Sequence, residues 1–187
     1  MAIRTIREMG DPILEQACKP VKMMTPRTRI LIEDMLDTMY ENEGVGLAAP
    51  QVGVLRRIVV IDVGDEQSPY ILINPEIVEQ DGEQKGYEGC LSVPGKSGFV
   101  TRPNHVKVRA FNEELKEVEY EGEGLLARAF CHELDHLDGK LYVPLAEGGL
   151  VDNSELYAEE EGEEGEEEEG SEEEAPTEGE ASPEGQA

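Results

Sequence analysis

The sequence predicts an α+β domain. Two stretches have the spacing of amphipathic helices, and five short stretches between them have the composition of β-strands. A few helices combined with many short strands is typical of that fold class. The chain has 187 residues, which is enough for one domain with a hydrophobic core.

The first helix is predicted to begin at Thr25-Pro26, after a turn and a short extended or helical piece in residues 11–20. Thr25 is a suitable N-cap, and proline is tolerated at the first helical position. The apolar residues that follow recur at helical spacing: Ile32, Met35, Leu36 and Met39. The helix should end near Gly44.

The strands are predicted from apolar or alternating stretches bounded by turn residues, and they cover residues 57–63, 70–75, 76–82, 105–111 and 116–122. The first of these, RIVVIDV, is apolar over most of its length and should be buried. Pro75 should close the second strand. The second helix is predicted over residues 123–138, and Gly139 ends it.

Most of the negative charge lies at the C-terminal end. Residues 147–187 hold 18 of the 43 acidic residues and no Lys or Arg, whereas the preceding part holds 25 acidic and 16 basic residues. We therefore expect a catalytic domain at 1–150 and an acidic tail at 151–187, whose composition predicts disorder. The simplest interpretation of the tail is a solubilising extension.

The same composition limits the partners and the location. A net charge of −27 disfavours direct nucleic-acid binding and anionic lipid surfaces. No stretch has the length and apolarity of a membrane span or a signal peptide. Three cysteines without disulfide spacing are typical of a reducing compartment, so we expect a cytoplasmic protein with no membrane partner.

The segment HELDH at 132–136 predicts a metal site. On a helix, His132 and His136 share one face and can hold one ion from the same side. Glu133 is rotated by about 100° from His132, which places it beside the ion as a general base for water. The alternative is a surface helix that carries two histidines by chance.

A catalytic ion needs a third donor. Cys90, in the segment YEGCLSVPG, is our preferred candidate because a thiolate binds transition metals strongly and three ligands leave one open position. Cys18 and Cys131 are expected to be buried apolar residues. Two alternatives remain: a zinc endopeptidase that uses Glu147 or Asp152, and a site that only stabilises the fold.

The segment GVGLAAPQVG at 44–53 follows the first helix. Its glycines would let an extended substrate approach the backbone, and the amide of Gln51 could donate to an oxyanion. Taken alone, this segment could equally be a helix cap and a loop.

These three segments together resemble the peptide deformylase family of bacteria. Its motifs G-x-G-x-A-A-x-Q, E-G-C-x-S and H-E-x-x-H occur here in that order, beginning at Gly44, Glu88 and His132. The resemblance spans about residues 5–145, including GDPIL at 10–14. One departure is Pro144, which stands where many members have an aspartate before a C-terminal helix.

The resemblance implies a hydrolase that removes the formyl group from the N-terminal methionine of nascent polypeptides. It implies antiparallel sheets packed around the histidine helix. It also implies that Cys90, His132 and His136 hold one divalent ion, which is Fe2+ natively, with Zn2+, Ni2+ and Co2+ as possible substitutes. The ribosome is an additional partner that the sequence leaves open.

Roles for further residues follow from this resemblance. Glu133 would act as general base, while the Gln51 amide and the Leu91 N–H would meet the oxyanion. The substrate would extend along Val45, Gly46 and Gly89. Leu125 and Ala129 would line a methionine pocket, or else belong to the core. Asp135 could pair with Arg102, and Ser92 could orient a ligand histidine.

Overall fold

The computed structural model describes residues 2–156, and the chain divides into two units, Met1–Asp152 and Asn153–Ala187. All elements named below belong to the first unit. The predicted acidic tail lies outside the described residues from position 157 onward, so its disorder stays a prediction. Within the described part, no helix is long and apolar enough to cross a membrane.

The first unit contains two α-helices, eight β-strands and three short 3-10 helices at 12–15, 49–52 and 143–145. The helices are α1 (Pro26–Glu41) and α2 (Gly124–Leu137). The strands are β1 (Gly46–Ala48), β2 (Ile58–Ile61), β3 (Tyr70–Asp81), β4 (Gln84–Cys90), β5 (Val93–Arg102), β6 (His105–Phe111), β7 (Glu117–Glu123) and β8 (Glu147–Asp152). All strand pairs are antiparallel, and the predicted α+β class is confirmed.

The larger sheet has the order β1-β2-β3-β6-β7 and separates the two helices. Strand β2 explains this arrangement, because all four of its residues are buried. Val59 and Ile61 pack into the cluster that contains the apolar side of α2. Ile58 and Val60 point to the opposite side and pack into the cluster that contains α1. Burial on both faces is the reason for the continuous apolar run in the sequence.

Helix α1 begins where the sequence predicts. The backbone N–H of Thr28 donates to the Thr25 side chain at 3.2 Å, which is the N-cap hydrogen bond, and Pro26 occupies the first helical position. The helix ends at Glu41, three residues before the predicted stop at Gly44. The predicted second helix is also present, as α2.

Strand β3 corrects one prediction. Residues 70–75 and 76–82 were expected to be separate strands, with Pro75 closing the first, but Tyr70–Asp81 is one strand. Asn74 has a φ of 49°, and the register with β6 shifts between Ile73 and Glu76. Proline is tolerated there because the hydrogen-bond ladder is interrupted at this irregularity.

The smaller sheet, with the order β4-β5-β8, and the short strand β1 were absent from the sequence-based prediction. Strand β4 has the sequence QKGYEGC, which contains two glycines and three charged or amide side chains. Such residues have low β-propensity, so pairing with a distant segment determines this strand. Strand β8 also includes positions 151 and 152, the first two residues of the predicted tail.

Candidate active site

Three potential metal ligands meet where α2 faces the end of β4. The ligand atoms of Cys90, His132 and His136 all lie within 4.8 Å of one another. The Cys90 Sγ lies 3.3 Å from the His136 Nε2, and the two imidazole rings are 5.0 Å apart. The i, i+4 spacing on α2 brings the histidines together, and the end of β4 supplies the sulfur.

Glu88 holds the ring of His132 in place. The Nδ1 of His132 lies 3.0 Å from Glu88 Oε2, in a buried contact that directs the other ring nitrogen toward the ligand group. Arg102 donates from Nε and Nη2 to the two oxygens of Glu88, at 2.8 and 3.0 Å. Arg102 also contacts Asp135 at 2.7 Å, which confirms the predicted Asp135–Arg102 pair.

A second arginine completes this network. Arg128 is buried, and its Nη1 donates to Glu88 Oε1 at 2.9 Å and to the carbonyl oxygens of Val100 and Gly86 at 3.1 and 3.3 Å. It therefore joins α2 to both β4 and β5. Gly86 makes room for it, because a Cβ there would lie 3.3 Å from Arg128 Nη2. Removing one member of a buried ionic network costs about 3–5 kcal/mol.

The pKa values in this network follow from burial and neighbouring charge. Burial by itself would raise the pKa of Glu88, but hydrogen bonds with His132 and Arg102 outweigh it and lower the pKa to about 2. Burial would lower the pKa of His132, yet contacts with Cys90 and Glu88 raise it to about 10. The pKa of His136 is held well below its usual value, first by burial and then by the positive charge of His132. The site thus stabilises positive charge between Cys90 and Glu88.

Glu133 lies beside the ligand group in a buried position. Its Oε2 has no hydrogen-bond partner among the described residues, although it is shielded from solvent. Burial raises the pKa of Glu133 to about 7, while the charge of His132 acts in the opposite direction. Gly46 of β1 packs directly against this side chain, because an added Cβ would lie only 2.8 Å from Glu133 Cδ.

Gln51 is fully buried in the short 3-10 helix after β1. Its Oε1 accepts from the Ala48 N–H at 2.8 Å, which fixes the orientation of the amide. Its Nε2 donates to Ser92 Oγ at 3.1 Å and lies 3.5 Å from Cys90 Sγ. Ser92 therefore orients Gln51, and the prediction that it orients a ligand histidine is wrong.

Comparison with known proteins agrees with this geometry. The sequence pattern of the polypeptide deformylase family matches residues 3–147. A peptide deformylase of Agathobacter rectalis is 64% identical over 152 residues, covering 81% of this chain and 95% of that protein. One of Lachnoclostridium phytofermentans is 62% identical over 162 residues, covering 86% of this chain and 99% of that protein.

The chain belongs to the polypeptide deformylase family. The crystal structure of peptide deformylase from Thermotoga maritima superimposes with a TM-score of 0.75 at 42% identity, covering 79% of this chain and 99% of that one. A peptide deformylase structure from Legionella pneumophila gives a TM-score of 0.75 at 40% identity, covering 91% of this chain and 99% of that one. The chain is therefore a hydrolase of protein biosynthesis that removes the N-formyl group from nascent polypeptides, and its family depends on a metal ion.

The residues predicted to contact substrate lie at or beside the edge strands β1 and β4 and in the first half of α2. In the part of the chain that the structure describes, β1 and β4 each pair on one side only, so Gly46 and Gly89 lie on edge strands. Val45 precedes β1, and its side chain is exposed. Leu91 follows Cys90 in the turn between β4 and β5. Leu125 is 55% exposed on the first turn of α2, whereas Ala129 is buried.

The carboxylates offered as alternative ligands do not join the group. Glu147 lies on β8, where it accepts from the Thr101 hydroxyl at 2.6 Å, and Asp152 pairs with Lys96 at 3.0 Å.

Cys18 and Cys131 are buried in the main core cluster, as expected, and burial raises the pKa of each thiol to about 11. Neither contributes to the ligand group.

Sequence analysis gave no role to three residues of this site, which are Glu88, Arg128 and Tyr142. Glu88 was noted only as part of the E-G-C-x-S motif, and its contact with His132 was not predicted. The sequence did contain a feature that could have indicated Arg128, because a charged residue one turn before His132 interrupts the apolar side of α2. For Tyr142, we recognise no feature of the sequence that predicts a place in the site. Its ring lies 5.7 Å from the His132 ring, and its hydroxyl donates to the Lys96 carbonyl at 3.2 Å. It follows α2 in the chain and packs beside the His132 ring.

Proposed function

We propose that Cys90, His132 and His136 hold a divalent metal ion and that Glu133 is the general base of formyl hydrolysis. The observation that carries the proposal is the group of one sulfur and two imidazoles next to a buried, unpaired carboxylate oxygen. The chemistry is amide-bond hydrolysis at the formyl group of an N-terminal formyl-methionine. The cellular site would be the cytoplasm.

The donor set fits a transition-metal ion. A thiolate and two imidazoles suit Fe2+, Zn2+, Ni2+ and Co2+, and three protein ligands leave a coordination position for solvent or substrate. When bound, such an ion supplies Lewis-acid activation of water near neutral pH. We propose Fe2+ as the native ion. Cys90 and Glu88 both lie next to the His132 ring, so a cation held there would be close to two groups that can carry negative charge.

Glu133 would transfer a proton from the attacking water to the departing amine. Its Oε2 is one of two buried side-chain atoms without a hydrogen-bond partner among the described residues, the other being Nδ1 of His136. A pKa of about 7 lets the carboxyl both accept and release a proton at neutral pH. The carboxylate would take a proton from water and deliver it to the departing amine. Because the side chain is buried, exchange with bulk solvent between these steps would be slow.

Gln51 and Leu91 would stabilise the oxyanion. The Gln51 amide is held by Ala48 and Ser92, so its Nε2 is already oriented toward Cys90 before substrate binds. The Leu91 N–H comes from the turn that directly follows the ligand sulfur. Donors that need no reorganisation contribute most to stabilising charge in the transition state.

The substrate would lie as an extended strand between the free edges of β1 and β4. Pairing through Val45, Gly46 and Gly89 would use backbone groups and would tolerate many sequences, which suits nascent chains. Leu125 would contact the methionine side chain, since it is exposed on the first turn of α2, whereas Ala129 is buried in the core cluster and fits the alternative of a core residue. The ribosome would be a partner through its emerging chains.

The test is release of formate from formyl-Met-Ala-Ser by anaerobically purified protein, with metal analysis of the same sample. We expect stoichiometric metal and rapid formate release. A Glu133→Gln variant should keep the metal and lose about 10²–10⁴-fold in kcat. Near-normal turnover by this variant would exclude the general-base role, and cleavage of internal peptide bonds would indicate an endopeptidase instead.

A further inference from the structure

A second groove lies away from the ligand group, between the N-terminal segment, the start of α1 and the segment before β2. Its volume is about 810 Å³. Five basic residues line it: Arg4, Lys19, Lys22, Arg27 and Arg56. No acidic residue is among the described residues that line it. This concentration of positive charge is unusual in a chain whose net charge is −27.

Most of these charges are not neutralised within the fold. Arg4 pairs with Asp34 at 2.9 Å, but the other four side chains form no ion pair with residues 2–156. Lys19 and Arg56 belong to neighbouring backbone segments, joined by an isolated parallel bridge. Their backbones are therefore adjacent, and both side chains line the groove.

The start of α1 adds to the positive potential. Thr25, its N-cap, and Thr28 of its first turn both line the groove. The N-terminal end of a helix carries a partial positive charge, which favours an anionic group nearby. The charge of the side chains and that of the helix thus have the same sign.

The floor of the groove is apolar. Val21, Leu31 and Ile58 are buried there, Val54 is partly buried, and Met23 is 66% exposed at the rim. A small free anion would not use this surface. An extended peptide would, because its side chains alternate between two faces, so that one set can reach the floor while the other reaches the basic rim.

We propose that this groove binds an acidic peptide segment of another protein, in which Asp or Glu alternates with apolar side chains. Charge complementarity favours an anionic ligand, and the apolar floor favours an acidic peptide over a nucleic acid. The lining contains no aromatic residue on which bases could stack. The net negative charge of the chain also repels a long polyanion. A short peptide bound in the groove interacts mainly with charges within a Debye length of about 8 Å, which are those of the groove itself.

The experiment measures binding of a short fluorescent peptide of alternating Glu and Leu to the full chain by anisotropy. We expect saturable binding that weakens with salt. The double variant Lys19→Glu/Lys22→Glu should weaken binding about tenfold or more, because two attractions become repulsions. The matched control, Lys116→Glu/Lys140→Glu, changes the net charge equally at exposed positions outside the groove and should bind nearly as wild type.

Two further probes separate the alternatives. A peptide with Ser in place of Leu should bind more weakly, because the floor loses its apolar contacts. Formate release by both double variants should equal that of wild type, since neither pair contacts the ligand group. The proposal fails if no saturable binding occurs, or if both double variants weaken it equally. Tighter binding of a single-stranded oligonucleotide than of the peptide would assign the groove to nucleic acid instead.

Discussion

Gly46→Ala isolates the role of the general base from that of the metal. A Cβ at this position would lie 2.8 Å from Glu133 Cδ and 2.9 Å from Cγ, and would also contact Oε1. Ordinary carbon contacts are about 3.5–4.0 Å, so the carboxylate must move by about 0.7 Å or more. A displacement approaching 1 Å of a reacting group costs about 10²-fold in rate, and overpacking costs about 1–3 kcal/mol of stability.

The assay combines formate release with metal analysis and thermal unfolding. We expect kcat to fall about 10²-fold in the Gly46→Ala variant, while metal content stays at the wild-type value because the added methyl group meets Glu133 rather than a ligand. Gly89→Ala is the steric control for stability, since its Cβ would lie at an ordinary 3.6 Å from Ser97 Oγ. A Gly46→Ala enzyme with wild-type kcat would refute the reasoning.

Three other predictions concern the metal, the buried network and pH. Cys90→Ser should lower metal affinity in a chelator competition, whereas Cys131→Ser should not, because only the former sulfur belongs to the ligand group. Arg128→Met should lower the free energy of unfolding by about 3 kcal/mol in a denaturant titration, because Glu88 loses one of its buried donors; an unchanged midpoint would contradict this. Burial opposes but does not cancel the hydrogen bonds from the N-terminal segment that lower the pKa of Asp34. Asp34→Asn should therefore cost stability above its usual pKa of 3.8, and the difference from wild type should vanish as pH falls through the lower folded-state pKa.

The elements that the sequence predicted are those whose signal is local. The cap at Thr25 and the spacing along α1 involve residues within one or two helical turns. The apolar run of β2 reports burial on both faces without reference to any partner strand. Strands β4 and β5 gave no such signal, because their glycines and polar residues become a strand only through pairing with each other and with β8.

The ligand group was predictable from spacing and residue type, because two histidines four positions apart on a helix must share a face and a thiolate is the natural third donor. What holds that group was not predictable. The contacts of Glu88 with Arg102 and Arg128 join residues 14 and 40 positions apart, and the tight fit of Gly46 against Glu133 joins different elements. Spacing along the chain determines which side chains can share a helix face. Only the folded backbone determines which distant side chains meet, since pairing and packing bring together residues that no local pattern connects.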